Sequence, residues 1–98
     1  MSVYFIAQYD VTDPEGFAKY GASVRPTFAG HECEFLVVGD GREVIEGSAP
    51  AHTVVIKFPS KEAFQGWYES PEYQAIKHHR VDNTEGSAIL AEGFAMPS

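Results

Sequence analysis

A single cysteine, Cys33, stands in the chain, so no internal disulfide can form, and a reducing cytoplasm is the expected location. Basic residues are also few: Lys and Arg number 7 against 14 Asp and Glu, for a net charge of −7. A chain of that sign repels phosphate backbones and anionic lipid surfaces, so neither nucleic acid nor membrane is an expected partner. No apolar run reaches the roughly 18 residues that a transmembrane helix needs. Met1-Ser2-Val3-Tyr4-Phe5 has no basic stretch leading into an apolar one, so no signal peptide is expected. Glycine-rich phosphate loops and the Gly-x-Ser-x-Gly nucleophile pattern are missing too. Metal spacing is poor. His31 and Cys33 would need two further ligands, and the adjacent His78 and His79 splay about 100° apart on a helix. No metal and no cofactor are expected.

Aromatics, by contrast, are plentiful: five Tyr, seven Phe and one Trp in 98 residues. That length fits one domain, residues 1–98, with a core over about residues 3–94. Such a short chain buries only about 60–65% of the surface its unfolded form exposes, so covering one more face would help it.

The pattern along the chain reads as strands alternating with helices. Val3 to Val11 alternates, with Val3, Phe5, Ala7, Tyr9 and Val11 wholly apolar on one face and Tyr4 and Ile6 starting the other. Asp13-Pro14-Glu15 opens a helix, and Phe17, Tyr20, Val24 and Phe28 mark its apolar face. Pro26 ends or kinks it. Glu32 to Val38 is a second strand, with Cys33, Phe35 and Val37 on one side and Leu36 and Val38 on the other. Gly39-Asp40-Gly41 then predicts a turn into a short strand, Arg42 to Glu46, paired back as a hairpin. His52 to Phe58 is a strong strand. Ser60 caps a second helix bearing Phe64, Trp67 and Tyr68, and Ser70-Pro71-Glu72 opens a further short helix to about His79. The last strand is expected from about Ser87 to Phe94, with residues 95–98 as a tail. This order predicts an α+β fold of the ferredoxin-like split βαβ type, with an antiparallel sheet and helices on one face. Strands apolar on both sides then call for a second copy of the chain on the uncovered face.

Several stretches carry a family resemblance. They are Thr12-Asp13-Pro14-Glu15 with Tyr20, Glu46-Gly47, Val54-Val55-Ile56-Lys57-Phe58-Pro59-Ser60, Trp67-Tyr68-Glu69-Ser70-Pro71-Glu72-Tyr73 with Arg80, and Glu92-Gly93. In these the chain resembles the DUF1330 family of the dimeric α+β barrel superfamily. The resemblance implies a homodimer whose sheets pack face to face. It implies no defined activity, since relatives in the wider superfamily include cofactor-free monooxygenases, lactone isomerases, dehydratases and haem enzymes. The stretch Gly30-His31-Glu32-Cys33 departs from the glycine-rich turn usual there.

The candidate site residues follow from residue type and position. Tyr20 lies on the apolar face of the first helix, where its hydroxyl can enter a pocket. His52 begins a strand and is the natural general base near neutral pH. Glu46 precedes it and can reach the same pocket mouth. Arg80 follows the second helical region and can pair with Glu46 or hold an anion. Trp67 and Tyr73 are expected to line the pocket wall. Cys33, flanked by Glu32 and Glu34, reads as packing rather than as a nucleophile. The expected function is binding of a small, mostly apolar organic molecule between sheet and helices, with acid–base or cofactor-free oxidative chemistry carried by His52, Tyr20, Glu46 and Arg80. A non-catalytic binding or regulatory protein is the alternative.

Overall fold

A computed structural model describes residues 1–94; the expected tail at 95–98 lies outside the described residues. Strand β1 (Val3–Val11) leads into helix α1 (Pro14–Ser23) and a 3₁₀ turn (Arg25–Phe28). Strands β2 (Glu34–Gly39) and β3 (His52–Phe58) follow, then helices α2 (Lys61–Tyr68) and α3 (Pro71–Val81), and strand β4 (Thr84–Glu92). The sheet order is β2-β3-β1-β4, antiparallel throughout. Each helical crossover therefore skips a strand: β3 lies between β1 and β2, and β1 lies between β3 and β4. This is the ferredoxin-like α+β arrangement expected from the sequence.

Local chemistry sets the helix ends. The Asp13 carboxylate accepts from the Glu15 and Gly16 amides, Ser60 Oγ from the Ala63 amide, and Ser70 Oγ from the Tyr73 amide. Pro14 and Pro71 occupy first-turn positions, where a missing N–H costs nothing. Pro26 does end α1, as expected, and the chain tightens into the 3₁₀ turn that carries Thr27 and Phe28.

Three expectations are corrected. Residues 41–50 form a loop, not a strand with a hairpin back to β2. The side chains of Arg42 to Glu46 are all exposed, Ile45 by 82%, so a strand there would bury nothing. Arg42 instead closes the loop, its Nε and Nη2 donating to the Pro50 and Ala49 carbonyls at 3.0 and 3.4 Å. The last strand begins earlier than expected, at Thr84, because its pairing with β1 runs to Thr84 opposite Val11. The face assignment along β2 also changes. Phe35 pairs with Ile56 but Val37 with Val55, so Leu36 is an extra residue and the alternation slips there. Phe35 and Val38 consequently share the helix-facing side.

The register gives each face of the sheet its chemistry. On the helix side, Phe35, Ile56, Phe5 and Leu90 form one row across all four strands, and Val38, Val54, Ala7 and Ala88 the next. Trp67, Tyr73 and Phe58 are fully buried against this side. On the opposite side, Val37, Val55, Ile6 and Ile89 form an apolar row, and Gly39, Thr53, Gln8 and Ser87 a small and polar one. None of the residues in that apolar row belongs to the buried core, and Ile89 is 54% exposed. The molecule is a slab with extents of 47 × 38 × 16 Å. Its radius of gyration is 14.1 Å, against about 12.6 Å for a compact domain of this length. Among the described residues no helix is long and apolar enough to cross a membrane.

Candidate functional site

A cleft of about 410 Å³ opens between the helix-facing side of the sheet and α1 with its 3₁₀ turn. That volume is within the range of small-molecule sites. Aromatic side chains dominate its walls: Phe5, Tyr9, Phe17, Tyr20, Phe28, Phe35 and Trp67. The β2 end of the sheet has the least cover, which leaves Val38 69% exposed although it faces the helix side.

Tyr73 and Arg80 are seven residues apart on α3 and so lie on one helix face, turned toward the sheet. Both are buried. The Arg80 Nε donates to the Tyr73 hydroxyl at 3.4 Å, and the Tyr73 hydroxyl lies 2.9 Å from that of Tyr20 on α1. Burial pushes the Tyr20 hydroxyl well above the ordinary tyrosine pKa, and its bonded neighbour Tyr73 pushes it further. Tyr9 is raised as well, by burial, with Arg80 pulling the other way. Burial opposes the Arg80 charge, but the Tyr73 hydroxyl, then Tyr20 and Tyr68, more than offset it and hold its pKa above the usual value. Tyr20, Tyr9 and Arg80 therefore keep their protons at neutral pH.

On the other wall, the sheet register sets His52 directly opposite Tyr9. Their rings stack with centroids 5.5 Å apart and planes at 2°. His52 Nδ1 is buried and has no hydrogen-bond partner among the described residues. Gly86 sits across from Tyr9 on β4, and a Cβ there would run into the Gln8 carbonyl and Tyr9 Cα. The close strand approach that positions Tyr9 thus requires glycine. Trp67 packs flat on Phe28 at 4.5 Å, while its Nε1 donates to Thr27 Oγ1 at 3.0 Å.

Four of the six residues singled out from the sequence line this cleft: Tyr20, His52, Trp67 and Arg80. Tyr73 stands just behind the wall as the hydroxyl joining Tyr20 to Arg80. Glu46 is elsewhere, exposed on the 41–50 loop, and the pairing of Glu46 with Arg80 is not formed. Tyr9 and Thr27 were missed. Tyr9 read as one more apolar residue of an alternating strand, and its place opposite His52 was the available signal. Thr27 gave no signal, because it lies in a turn that only the tertiary fold buries. Cys33 is partly buried against the core and its thiol is pushed up by that burial, in keeping with a packing role.

The charges lining the cleft are both positive, Arg25 and Arg80; no Asp or Glu lines it, although acids outnumber bases two to one in the chain. Among the described residues no group of three or more His, Cys, Asp or Glu side chains is placed to hold a metal ion. The arrangement offers donors on the helix wall, an imidazole on the sheet wall, and aromatic surface between them.

The family model for a domain of unknown function, DUF1330, matches residues 2–94. The chain belongs to the DUF1330 family. No curated protein gives a significant match. Among solved structures, this DUF1330 protein is similar to the RPA0582 protein of unknown function from Rhodopseudomonas palustris, with a TM-score of 0.76 at 17% identity over 97% of this chain and 84% of that one. It is similar to SnoaB, a cofactor-independent oxygenase from Streptomyces nogalater, with a TM-score of 0.65 at 15% identity over 97% and 95% of the two chains. A dimeric ferredoxin-like protein of unknown function from Thermobifida fusca gives 0.64 at 15% identity over 98% and 92%. At these identities the likeness establishes the fold alone.

Proposed function

We propose that this DUF1330 protein is a single-domain homodimer that binds a small, mostly apolar organic molecule in the aromatic cleft and acts on it by proton transfer. The observation carrying this reading is the cleft itself. It joins an aromatic lining to an imidazole on one wall and hydrogen-bond donors on the other. His52 takes a proton from the bound molecule, and the Arg80–Tyr73–Tyr20 chain receives the negative charge that develops. SnoaB lends a precedent in fold only: a protein of this architecture that is an oxygenase without a cofactor. Dimerisation is supported by the row of Val37, Val55, Ile6 and Ile89, an apolar stripe across the uncovered face, and by the dimeric Thermobifida relative.

The test is a panel of lactones, quinols and aromatic acids. Thermal stabilisation detects binding, and product analysis detects turnover. A ligand at a hundred times its Kd stabilises by about 2.7 kcal/mol, a shift of several degrees. His52→Gln should abolish turnover of any compound that reacts and leave the melting temperature nearly unchanged. Retained turnover in that variant removes His52 from the chemistry. One observation favours a second, non-catalytic reading. Working histidines usually have Nδ1 held by an acceptor that fixes the tautomer, and here Nδ1 has no partner among the described residues. Stabilisation by the panel without any product would decide for that reading.

A further inference from the structure

Arg80 is 8% exposed and permanently charged, and no carboxylate among the described residues pairs with it. A buried arginine held by hydroxyls rather than by a carboxylate is unusual in a small core, so its place needs another explanation. Among the described residues its one hydrogen bond runs from Nε to the Tyr73 hydroxyl. The guanidinium ends are left for something else, and Arg80 lines the cleft.

The neighbouring hydroxyls are polarised in the same sense. A guanidinium can only donate, so Tyr73 oxygen accepts from Arg80. Tyr73 can then use its own proton in the 2.9 Å bond to Tyr20, which satisfies Tyr73 on both counts. That direction leaves the Tyr20 proton without an acceptor, and Tyr20, unlike Tyr73, lines the cleft. Arg80 and Tyr20 therefore present donors to one place. Arg25 adds a second positive charge at the exposed part of the lining, where no acid offsets it.

From these donors we infer that the cleft takes an aromatic carboxylate, its carboxylate seated on the Arg80 guanidinium and the Tyr20 hydroxyl and its ring held among Tyr9, Phe17, Phe28 and Trp67. The inference rests on the small-molecule reading of the same cleft and narrows it to a charge and a ring system. Charged and planar recognition suit each other here. A guanidinium fork matches two carboxylate oxygens, and aromatic walls accept a flat ring at little conformational cost. The chain's overall negative charge gives such a ligand no long-range attraction, so affinity has to come from these local groups.

The full-length protein is titrated calorimetrically with 1-naphthoate and with 1-naphthamide, which share a ring system and differ in charge. The acid should bind at least about tenfold more tightly. Arg80→Gln should bring the acid down toward the level of the amide and change the amide by a much smaller factor. Arg25→Gln, at an exposed position that the fold does not depend on, should weaken the acid by a smaller factor and spare the amide. It keeps the inference testable if Arg80→Gln does not fold. Equal affinities for acid and amide in the wild type would overturn the inference and leave the cleft reading intact. So would insensitivity of the acid to both arginine substitutions. Binding of neither compound would overturn the cleft reading and the inference with it.

Discussion

Replacing Tyr73 by Phe removes one oxygen and nothing else, which makes it a clean probe of the polar chain inside this core. The ring stays, and with it the contacts to Trp67 and Tyr68, whose centroids lie 4.2 and 5.3 Å away. The lost oxygen held two partners, Tyr20 at 2.9 Å and Arg80 Nε at 3.4 Å. The bond to Tyr20 is between neutral groups and contributes about 0.5–1.5 kcal/mol; the longer one to Arg80 involves a charge and contributes about 1 kcal/mol more. The change also strands a buried guanidinium N–H. The sum is about 2–3 kcal/mol. For a domain of this length each kcal/mol is worth roughly 4–8 °C, so the melting temperature should fall by at least about 8 °C. Tyr20→Phe removes the bond between the two hydroxyls and leaves the buried Tyr73 proton without its acceptor, while Tyr73 keeps its bond to Arg80, so it should cost about 1–2 kcal/mol. The assay is urea unfolding of wild type, both single variants and the double variant at one fixed protein concentration. In the double-variant cycle the two sites should couple by about 0.5–1.5 kcal/mol. A Tyr73→Phe protein within 0.5 kcal/mol of wild type, or one more stable than Tyr20→Phe, would refute the chain as described.

Alkaline stability provides a second check. Tyr20 and Tyr9 have folded pKa values above the ordinary 10.0, so the folded state holds protons that the unfolded chain releases. Stability is then full below about pH 10 and falls as pH rises beyond it, by up to about 1.36 kcal/mol per pH unit for each group. Tyr20→Phe should make that decline shallower between pH 10 and 11 in melting curves; an unchanged slope would contradict the burial described for its hydroxyl. Ile6→Asp puts an unpaired charge at the centre of the apolar outer row and should weaken the proposed dimer by about 3–5 kcal/mol, giving monomers in analytical ultracentrifugation. A dimer that survives it would place the interface elsewhere. Gly86→Ala should cost about 2–3 kcal/mol in urea unfolding, because its methyl group meets the Gln8 carbonyl and Tyr9 backbone. It should also disturb the Tyr9–His52 stack, visible as altered His52 imidazole proton shifts. A neutral result would mean that the two strands can part without loss.

Strong local signals were the legible part of this fold. Asp13-Pro14, Ser60 and Ser70-Pro71 mark helix starts because capping is chemistry between residues two or three apart, which a sequence displays directly. The alternation in β1 is equally direct. What failed was register. The slip at Leu36 depends on how β2 meets β3, and no residue within β2 announces it. The Arg42–Glu46 segment failed for a related reason. Val44 and Ile45 have strand-like side chains, but a strand forms only where a neighbour offers an edge and a buried face. Site residues followed the same division. Tyr20 and Tyr73 could be read because helix periodicity puts each on an inward face; Arg80, expected just past its helix, lies within α3 on the same inward face as Tyr73. Glu46 was misplaced with the strand that carried it. Tyr9 was hidden by its own regularity, since its role depends on the residue across the sheet.

The role proposed for Arg80 would separate stability from function in so small a core. An aliphatic residue in its place would bury cleanly against Tyr73, and replacing buried charges by apolar groups is often neutral or stabilising. The aromatic cluster around Trp67 makes the charge tolerable. Trp67, Phe58 and Tyr73 are fully buried, and Phe5, Phe28 and Phe64 pack on the same indole. At about 1.5–3 kcal/mol for each large apolar side chain buried, that cluster outweighs a single charge held by tyrosine hydroxyls. Three of these rings, Trp67, Phe5 and Phe28, also form part of the wall of the cleft. With the proposed ligand, a substitution that thins the wall should therefore lower stability and affinity together, whereas one that changes only Arg80 should lower affinity and need not lower stability. That difference separates a residue kept for the site from one kept for the core.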